Sequence, residues 1–237
     1  MRAAVDLHMH TCLSPCGDEL MTPNNIVNMA LLKELDIIAV TDHNSARNLP
    51  AVFAVAKEAG LSVLPGMEAC SQEEVHVLCY FPELAQVMAF DEAVYEYLPP
   101  LPNKADVFGP QQIMDQDDEV IGEEPRLLIQ ALDLPLEELV TLCRDMGGIA
   151  VPAHINRTSN SLLYNLGFIP PGVPFSAMEV AKPPMPPPDC DLTGWRILQS
   201  SDAHRLEDIS EREFYVEGLR AMSARALFEW IKGERDE

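Results

Sequence analysis

Residues 3–10, Ala3-Ala4-Val5-Asp6-Leu7-His8-Met9-His10, carry an apolar strand pattern straight into a pair of imidazoles. Residues 36–44 repeat the arrangement: Asp36–Val40 (DIIAV) is a buried strand pattern, and Thr41-Asp42-His43-Asn44 follows it. Between the two, Thr22-Pro23 places an N-cap before a proline at the first helical position, and Ile26, Met29, Ala30 and Leu32 give one apolar face. Pro50–Ala59 reads as a helix ended by Gly60, Leu61–Leu64 as a third strand and Val75–Phe81 as a fourth. Strands alternating with helices predict an α/β fold with a parallel sheet, either open or closed into a barrel.

The middle of the chain differs. From Glu83 to Asp145 there are 15 acids and 3 basic residues, a net of −12 out of −22 for the whole chain. Gln111–Gly122 (QQIMDQDDEVIG) predicts a hairpin turning at Asp115–Asp118, flanked by helical patterns at Glu83–Tyr97 and Pro135–Met146, the second stopped by Gly147-Gly148. The segment 83–145 therefore reads as an inserted helix and hairpin subdomain within a single domain spanning 1–237, its acids forming a solvated surface. The α/β rhythm resumes with strands at Ile149–Pro152, Ala177–Ala181, Arg196–Gln199 and Phe214–Val216, and helices at Ser161–Leu166 and Ser223–Lys232. Pro183–Pro188 (PPMPPP) predicts a stiff extended loop.

Composition sets outer limits. With 237 residues, 47% hydrophobic, the chain can bury a sizeable core. Its 38 acids against 16 Lys and Arg argue against a protein that coats duplex nucleic acid, which must neutralise phosphates with cations. They leave open a metalloenzyme that handles phosphate, because bound ions reverse the local sign. No stretch has the length and apolarity of a signal or membrane segment, so a cytoplasmic protein with no membrane partner is expected. Six scattered cysteines (Cys12, Cys16, Cys70, Cys79, Cys143, Cys190) suit small buried apolar positions in a reducing compartment, with Cys16 set apart below.

The six histidines sit in a pattern. His8, His10, His43, His154 and His204 stand at or just past the carboxyl ends of predicted strands, His76 lies in the fourth strand, and Glu68 ends the third. In a closed α/β barrel such ends converge on one face. His8 and His10 lie on the same side of the pleat, and Asp202-x-His204 repeats that spacing with a carboxylate and an imidazole. Imidazole and carboxylate suit borderline divalent ions such as zinc, manganese or iron. About nine donors, at roughly three protein ligands per catalytic ion, fit two to three ions. Ions of this kind acidify water and absorb charge on ester oxygens, which suits hydrolysis.

Six short motifs stand in order: D-L-H-x-H (6–10), T-D-H-N (41–44), G-M-E (66–68), E-V-H-V-L-x-Y-F (74–81), P-A-H (152–154) and S-S-D-A-H (200–204). Together they resemble the polymerase and histidinol phosphatase (PHP) family across the whole chain. The resemblance implies a distorted (β/α)7 TIM-like barrel, a trinuclear metal centre and phosphoesterase activity. It also implies a ligand set: His8, His10, Glu68 and Asp202 on one ion, Glu68 with His76 and His154 on a second, His43 and His204 on a third. A further ligand should come from the loop after the first strand, where this chain departs from the family and offers Cys16 or Asp18. Spacing counted back from Thr22-Pro23 favours Asp18; a Cys16 thiolate would favour zinc or iron. Arg157, three residues after His154, is similar in placement to a phosphate-binding arginine, and its guanidinium can grip a phosphate bidentately. Asn44, Ser201 and Arg205 adjoin ligands and are further substrate candidates, while Asp42 could orient a ligand.

The expected activity is hydrolysis of a small phosphomonoester: a nucleotide, a nucleoside bisphosphate or a sugar phosphate. A 3′–5′ exonuclease or oligonuclease, a histidinol phosphatase and a catalytically silent scaffold are the alternatives; the intact ligand set argues against the scaffold. An amidohydrolase also begins with H-x-H, but no lysine is placed to bridge two ions.

Overall fold

Alternate residues of the strands enter two different cores. Ala3, Val5, Leu78, Tyr80, Ile149 and Val151 pack in one, while Ala4, Val77, Cys79 and Ala150 pack in the other. Strands covered on both faces read as continuous apolar runs, which is how these appear in the sequence. The computed structural model describes residues 1–182, 185 and 188–233. Of the Pro183–Pro188 run, Pro183, Pro184, Pro186 and Pro187 lie outside the described residues.

In chain order the elements are β1 (Arg2–Asp6), α1 (Pro23–Leu32), β2 (Ile37–Ile38), α2 (Leu49–Ala59), β3 (Ser62–Val63), β4 (Gly66–Cys70) and β5 (His76–Tyr80). Then come α3 (Leu84–Tyr95), α4 (Ala105–Phe108), β6 (Gln112–Met114), β7 (Val120–Glu123), α5 (Leu136–Asp145), β8 (Ile149–Pro152) and α6 (Leu162–Leu166). β9 (Met178–Glu179), β10 (Ile197–Leu198), β11 (Tyr215–Glu217) and α7 (Ala224–Lys232) complete the order, with a 3-10 turn at Leu206–Asp208. Thr22 caps α1 as expected, its side chain accepting from the Asn25 amide, and Gly60 ends α2 at φ 75°. No helix among the described residues is long and apolar enough to cross a membrane.

The described strands assort into four sheets, ordered β11-β1-β2-β3, β10-β9, β4-β5-β8 and β6-β7. β1, β2 and β3 pair in parallel, as do β9 and β10, so the α/β expectation holds there. The expectation of an all-parallel sheet does not. β5 runs antiparallel to both β4 and β8, with Cys70 opposite His76 and Val77 opposite Pro152. The physical reason is the connection: Cys70 and His76 are joined by five residues, enough for a hairpin but far short of a parallel crossover. Pro65, which lacks an N–H, separates β3 from β4. Glu68 therefore sits inside a strand of its own and does not end the third.

Residues 83–145 form α3, α4, the β6–β7 hairpin and α5. The hairpin turns at Asp115–Asp118 as the sequence predicts, with Asp115 Oδ1 accepting from the amides of Asp117 and Glu119. Its acids are not all solvated. Asp118 accepts from Thr22 Oγ1 at 2.6 Å and from the Asn24 amide at 3.1 Å, at the start of α1. Glu124 is buried against Arg47, Tyr95 and the Arg126 amide, and buried Asp91 receives the Ala46 amide.

Gly148 opens β8's approach to the core. A Cβ there would lie 2.7 Å from Phe81 Cε1 and 2.8 Å from Cys143 Sγ. Gly148→Ala should overpack this corner and cost about 1–3 kcal/mol of stability, read as a lower urea midpoint with an unchanged m-value.

Candidate metal centre

Six stretches of chain are stitched together in pairs. Met9 bridges Ala203 in parallel, and the His10 amide donates to Ala203 O at 2.9 Å, which lays His8 and His10 beside Asp202 and His204. His43 bridges Glu68 in parallel, with the Asn44 amide donating to Glu68 O at 2.8 Å. The Ala153 amide donates to His76 O at 3.0 Å and brings His154 alongside. β5's reversed direction matters here: its amino end lies where β4 and β8 finish. His76, on the face shared with Leu78 and Tyr80, reaches the same place as Glu68, which shares its face with Gly66.

Glu68 is the hub. Its Oε1 lies 2.9 Å from His76 Nδ1, 3.2 Å from His8 Nε2 and 3.3 Å from His154 Nε2. Its Oε2 lies 2.9 Å from His43 Nδ1 and 3.4 Å from His10 Nε2. Asp202 Oδ1 is 3.2 Å from His8 Nε2 and 3.1 Å from His10 Nε2. The His204 ring stacks on His10 at 4.2 Å. Three triads bring their donor atoms close enough to share an ion: His8, His10 and Glu68; His43, Glu68 and His76; His10, His43 and His204. His8 and His10 are fully buried, whereas the His204 side chain is 26% exposed and Arg157 37%, so the centre opens past those two.

Charge balance is severe. Burial alone would raise Glu68, but His76, His8 and His43 hold it well below the usual carboxylate range. Burial likewise lowers His8, yet Asp202, Glu179 and Glu68 outweigh it and raise the imidazole well above its ordinary value. His10 goes the other way, lowered first by burial and then by His204 and His43, which favours neutral imidazole. The donors fit a divalent cation. His154 Nδ1 is buried without a hydrogen bond, and His43 Nδ1 and Glu68 Oε2 lie 2.9 Å apart without hydrogen-bond geometry. Backbone strain collects here too: His154, Asn44 and Asp202 hold φ of 29°, 46° and 53°.

Ser14 and Glu179 belong to the cluster although the sequence reading did not single them out. Ser14 Oγ donates to Asp42 Oδ1 at 2.7 Å and accepts from His10 Nδ1 at 3.0 Å and the His43 amide at 3.1 Å. That fixes a proton on His10 Nδ1 and leaves Nε2 free toward the cluster, and it gives Asp42 an orienting part. Glu179 Oε2 lies 3.0 Å from His8 Nδ1. Its signal was an acid inside the apolar Ala177–Ala181 strand pattern; Ser14 left none.

A cavity of about 180 Å³ opens on the cluster, lined by Cys16, Ile129, Arg157, Ser159 and Asn160 together with His43, Glu68, His76, His154, Asp202 and His204, but not by His8 or His10. A roomier one of about 620 Å³ lies against α7 and holds none of them. Cys16 therefore lines this cavity, although it is exposed and joins none of the three triads, while the Asp18 side chain does not line it and the Asp18 amide donates to His204 O at 2.9 Å. Asp18 lines a different cavity with Glu19, Gly109 and Pro110, its Oδ1 accepting from the Leu20 amide at 2.9 Å. Desolvation, then the charges of Glu68 and Asp202, push the Cys16 thiol up to about 12, so a thiolate there needs a cation beside it. Of the substrate candidates, Arg157 lies at the cavity, 2.5 Å from Asp202 Oδ2. The Asn44 amide is spent on Leu128 O, Gln130 O and the Cys70 amide, and Ser201 Oγ on His8 O and the Ala203 amide. Arg205 is exposed at the 3-10 turn and does not line the cavity.

The family model described as PHP domain matches residues 6–151. An uncharacterized protein, MJ1587, from Methanocaldococcus jannaschii is 34% identical over 76 residues, 29% of this chain and 44% of the relative. The 5′-3′ exoribonuclease Rnm from Salmonella typhimurium is 32% identical over 78 residues, 31% of this chain and 26% of the relative. The matches thus span less than half of either curated relative. In fold, the chain is similar to the lesion-specific endonuclease PfuEndoQ from Pyrococcus furiosus, with a TM-score of 0.70 at 20% identity over 98% of this chain and 56% of that one.

Replacing Cys16 by Ser should lower the equilibrium zinc content of the purified protein, and replacing Asp18 by Ala should leave it unchanged, both read by elemental analysis. The opposite pair of results would assign the ligand to Asp18.

Proposed function

The chain belongs to the PHP domain family, and from that premise we propose that it is a metal-dependent phosphoester hydrolase acting on the terminal phosphate of a small phosphomonoester: a nucleotide, a nucleoside bisphosphate or a sugar phosphate. The observation that carries this reading is the convergence of six histidines, Glu68 and Asp202 on one buried cluster with Arg157 at its mouth. In this reading His8, His10, Glu68 and Asp202 hold one of two to three ions, His76 and His154 share Glu68 for a second, and His43, His204 and Cys16 serve a third. Divalent ions bound there would supply Lewis-acid stabilisation of phosphoryl oxygens and an acidified water. Arg157 would leave Asp202 to grip the phosphate, a role its planar fork suits better than a lysine would. Ile129, the apolar residue among the cavity's lining, would shield part of the reacting group from bulk water.

The four sheets support a finer reading of the fold as arcs of a distorted (β/α)7 barrel. The His43–Glu68 bridge and the Ser176 amide bond to Ala150 O join neighbouring arcs. Residues 83–145 would then be an insertion within one domain, placed so that Ile129 shapes the pocket.

A second reading has its own support. The curated relative named as an exoribonuclease and the fold neighbour named as an endonuclease put a nucleic-acid strand among the substrates to test. The strongly acidic surface weighs against extended backbone contact, but cleavage at a strand end needs few contacts.

Chelator treatment should abolish phosphate release from a panel of nucleoside monophosphates, bisphosphates and sugar phosphates, and manganese or zinc should restore it. Arg157→Ala should raise KM about tenfold with a smaller change in kcat. Release of mononucleotides from end-labelled RNA or DNA, with no action on the monophosphate panel, would replace the first reading by the second. Inactivity on both panels with full metal content would overturn the hydrolase reading altogether.

A further inference from the structure

Glu179 lies on β9 with 2% of its surface exposed, and the two residues before it, Ala177 and Met178, are fully buried. An acid at such a place needs partners, since burying a carboxylate unpaired costs several kcal/mol. Among the described residues, three hydrogen-bond contacts tie it to ligand segments. Its Oε2 accepts from the His154 backbone amide at 2.9 Å and lies 3.0 Å from His8 Nδ1. Its own backbone carbonyl accepts from the Ile155 amide at 2.9 Å. Two consecutive amides at His154 and Ile155 are thus held by one residue. They flank a backbone that holds φ 29°, a conformation that does not persist for a histidine without outside support.

We infer that Glu179 is a positioning residue that sets two ligands at once: it turns His8 so that Nε2 faces Glu68 and Asp202, and it pins the strained turn that aims His154 at Glu68. The inference rests on the metal-centre reading above. The His8 contact is the carboxylate–histidine arrangement that fixes ring orientation and tautomer: with Nδ1–H given to Glu179, Nε2 is left as the lone-pair donor. The His154 contact works through the backbone and needs no ring. Because His8 and His154 serve different ions in that reading, one carboxylate couples two sites drawn from opposite parts of the chain. Glu179 lies in none of the three triads able to share an ion, so it acts through its neighbours. Its Oε1 is buried without a hydrogen bond, which leaves Oε2 alone to hold both.

The test is metal binding. Glu179→Ala, Glu179→Gln and wild type would be stripped, titrated with Mn²⁺ by calorimetry and analysed for bound ions, and each metal-free protein would be melted. Glu179→Ala should weaken Mn²⁺ binding roughly 10–100-fold and hold at least one ion fewer at limiting metal. Its metal-free melting temperature should stay near that of wild type, because the substitution also removes a buried acid. Glu179→Gln, whose amide oxygen can still accept from both donors, should recover most of the affinity. Full affinity in Glu179→Ala would overturn the inference. So would a metal-free melting temperature that falls as far as the metal-loaded one, since that marks a structural strut only. Wild type that binds ions but cleaves no phosphoester overturns the proposed function and leaves this inference standing; wild type that binds no ion overturns both.

Discussion

A single buried carboxylate is the point on which the structure turns. Glu68 is 1% exposed and lies within 3.4 Å of five imidazoles, those of His8, His10, His43, His76 and His154. A charge at such depth is tolerated only where opposite charge and hydrogen bonds surround it. The strand arrangement meets that demand. β4 carries Glu68 at the edge of a three-stranded sheet, β5 returns antiparallel to bring His76 within 2.9 Å, and the bridge to His43 joins β4's open side. The layer beneath is apolar, with Leu78, Tyr80 and Val151 below the ligands and Leu227, Phe228 and Ile231 of α7 further down. The cluster therefore lies against an apolar layer, where electrostatic interactions are strong.

Much of this was legible in the chain because the ligands lie in short motifs at strand ends, where local pattern and position coincide. His8 and His10 follow β1, and His43 follows β2, in the way the alternation of apolar runs predicts. His76 was the odd one, since it fitted no strand end. Its place becomes clear only when β5 is seen to run backwards, so that a strand's beginning lies beside its neighbours' ends. The five-residue link between Cys70 and His76 held that information, but the strong α/β rhythm on either side overrode it. Cys16 and Asp18 could not be separated by spacing, because the loop from Thr11 to Met21 folds back on itself. Gly17 packs so tightly against Thr11 O that a Cβ would lie 2.2 Å away, and this turn sends Cys16 toward the cavity and Asp18 away from it. Asn44 looked like a substrate residue by adjacency alone; its amide is consumed in fastening residues 128–130 to the site.

The acidic segment 83–145 shows what composition can and cannot reveal. Its charge excess was plain, but the roles of single acids were not. Asp118 buttresses the start of α1, while Glu124 and Asp91 converge on Arg47. Removing one partner from pairs this enclosed would strand a buried charge, whereas Ile129 is placed at the cavity by the Asn44 bonds to Leu128 O and Gln130 O on either side of it.

The amino-terminal strand has a consequence for how the protein comes to exist. β1 pairs with β2 in parallel and with β11 in antiparallel fashion, Asp6 receives the amides of Ser201 and Ser210, and the Met1 ammonium meets Leu219 O. Residues separated by some two hundred positions thus hold each other where His8 and Asp202 face across the cluster. Contacts that distant must meet their loop-closure entropy before they reward it. The donors of two triads, His8, His10 and Glu68 and His43, Glu68 and His76, all lie within the first 76 residues, whereas Asp202 and His204 reach them from some two hundred positions further along, so the outer side of the centre depends on the most distant contacts in the chain.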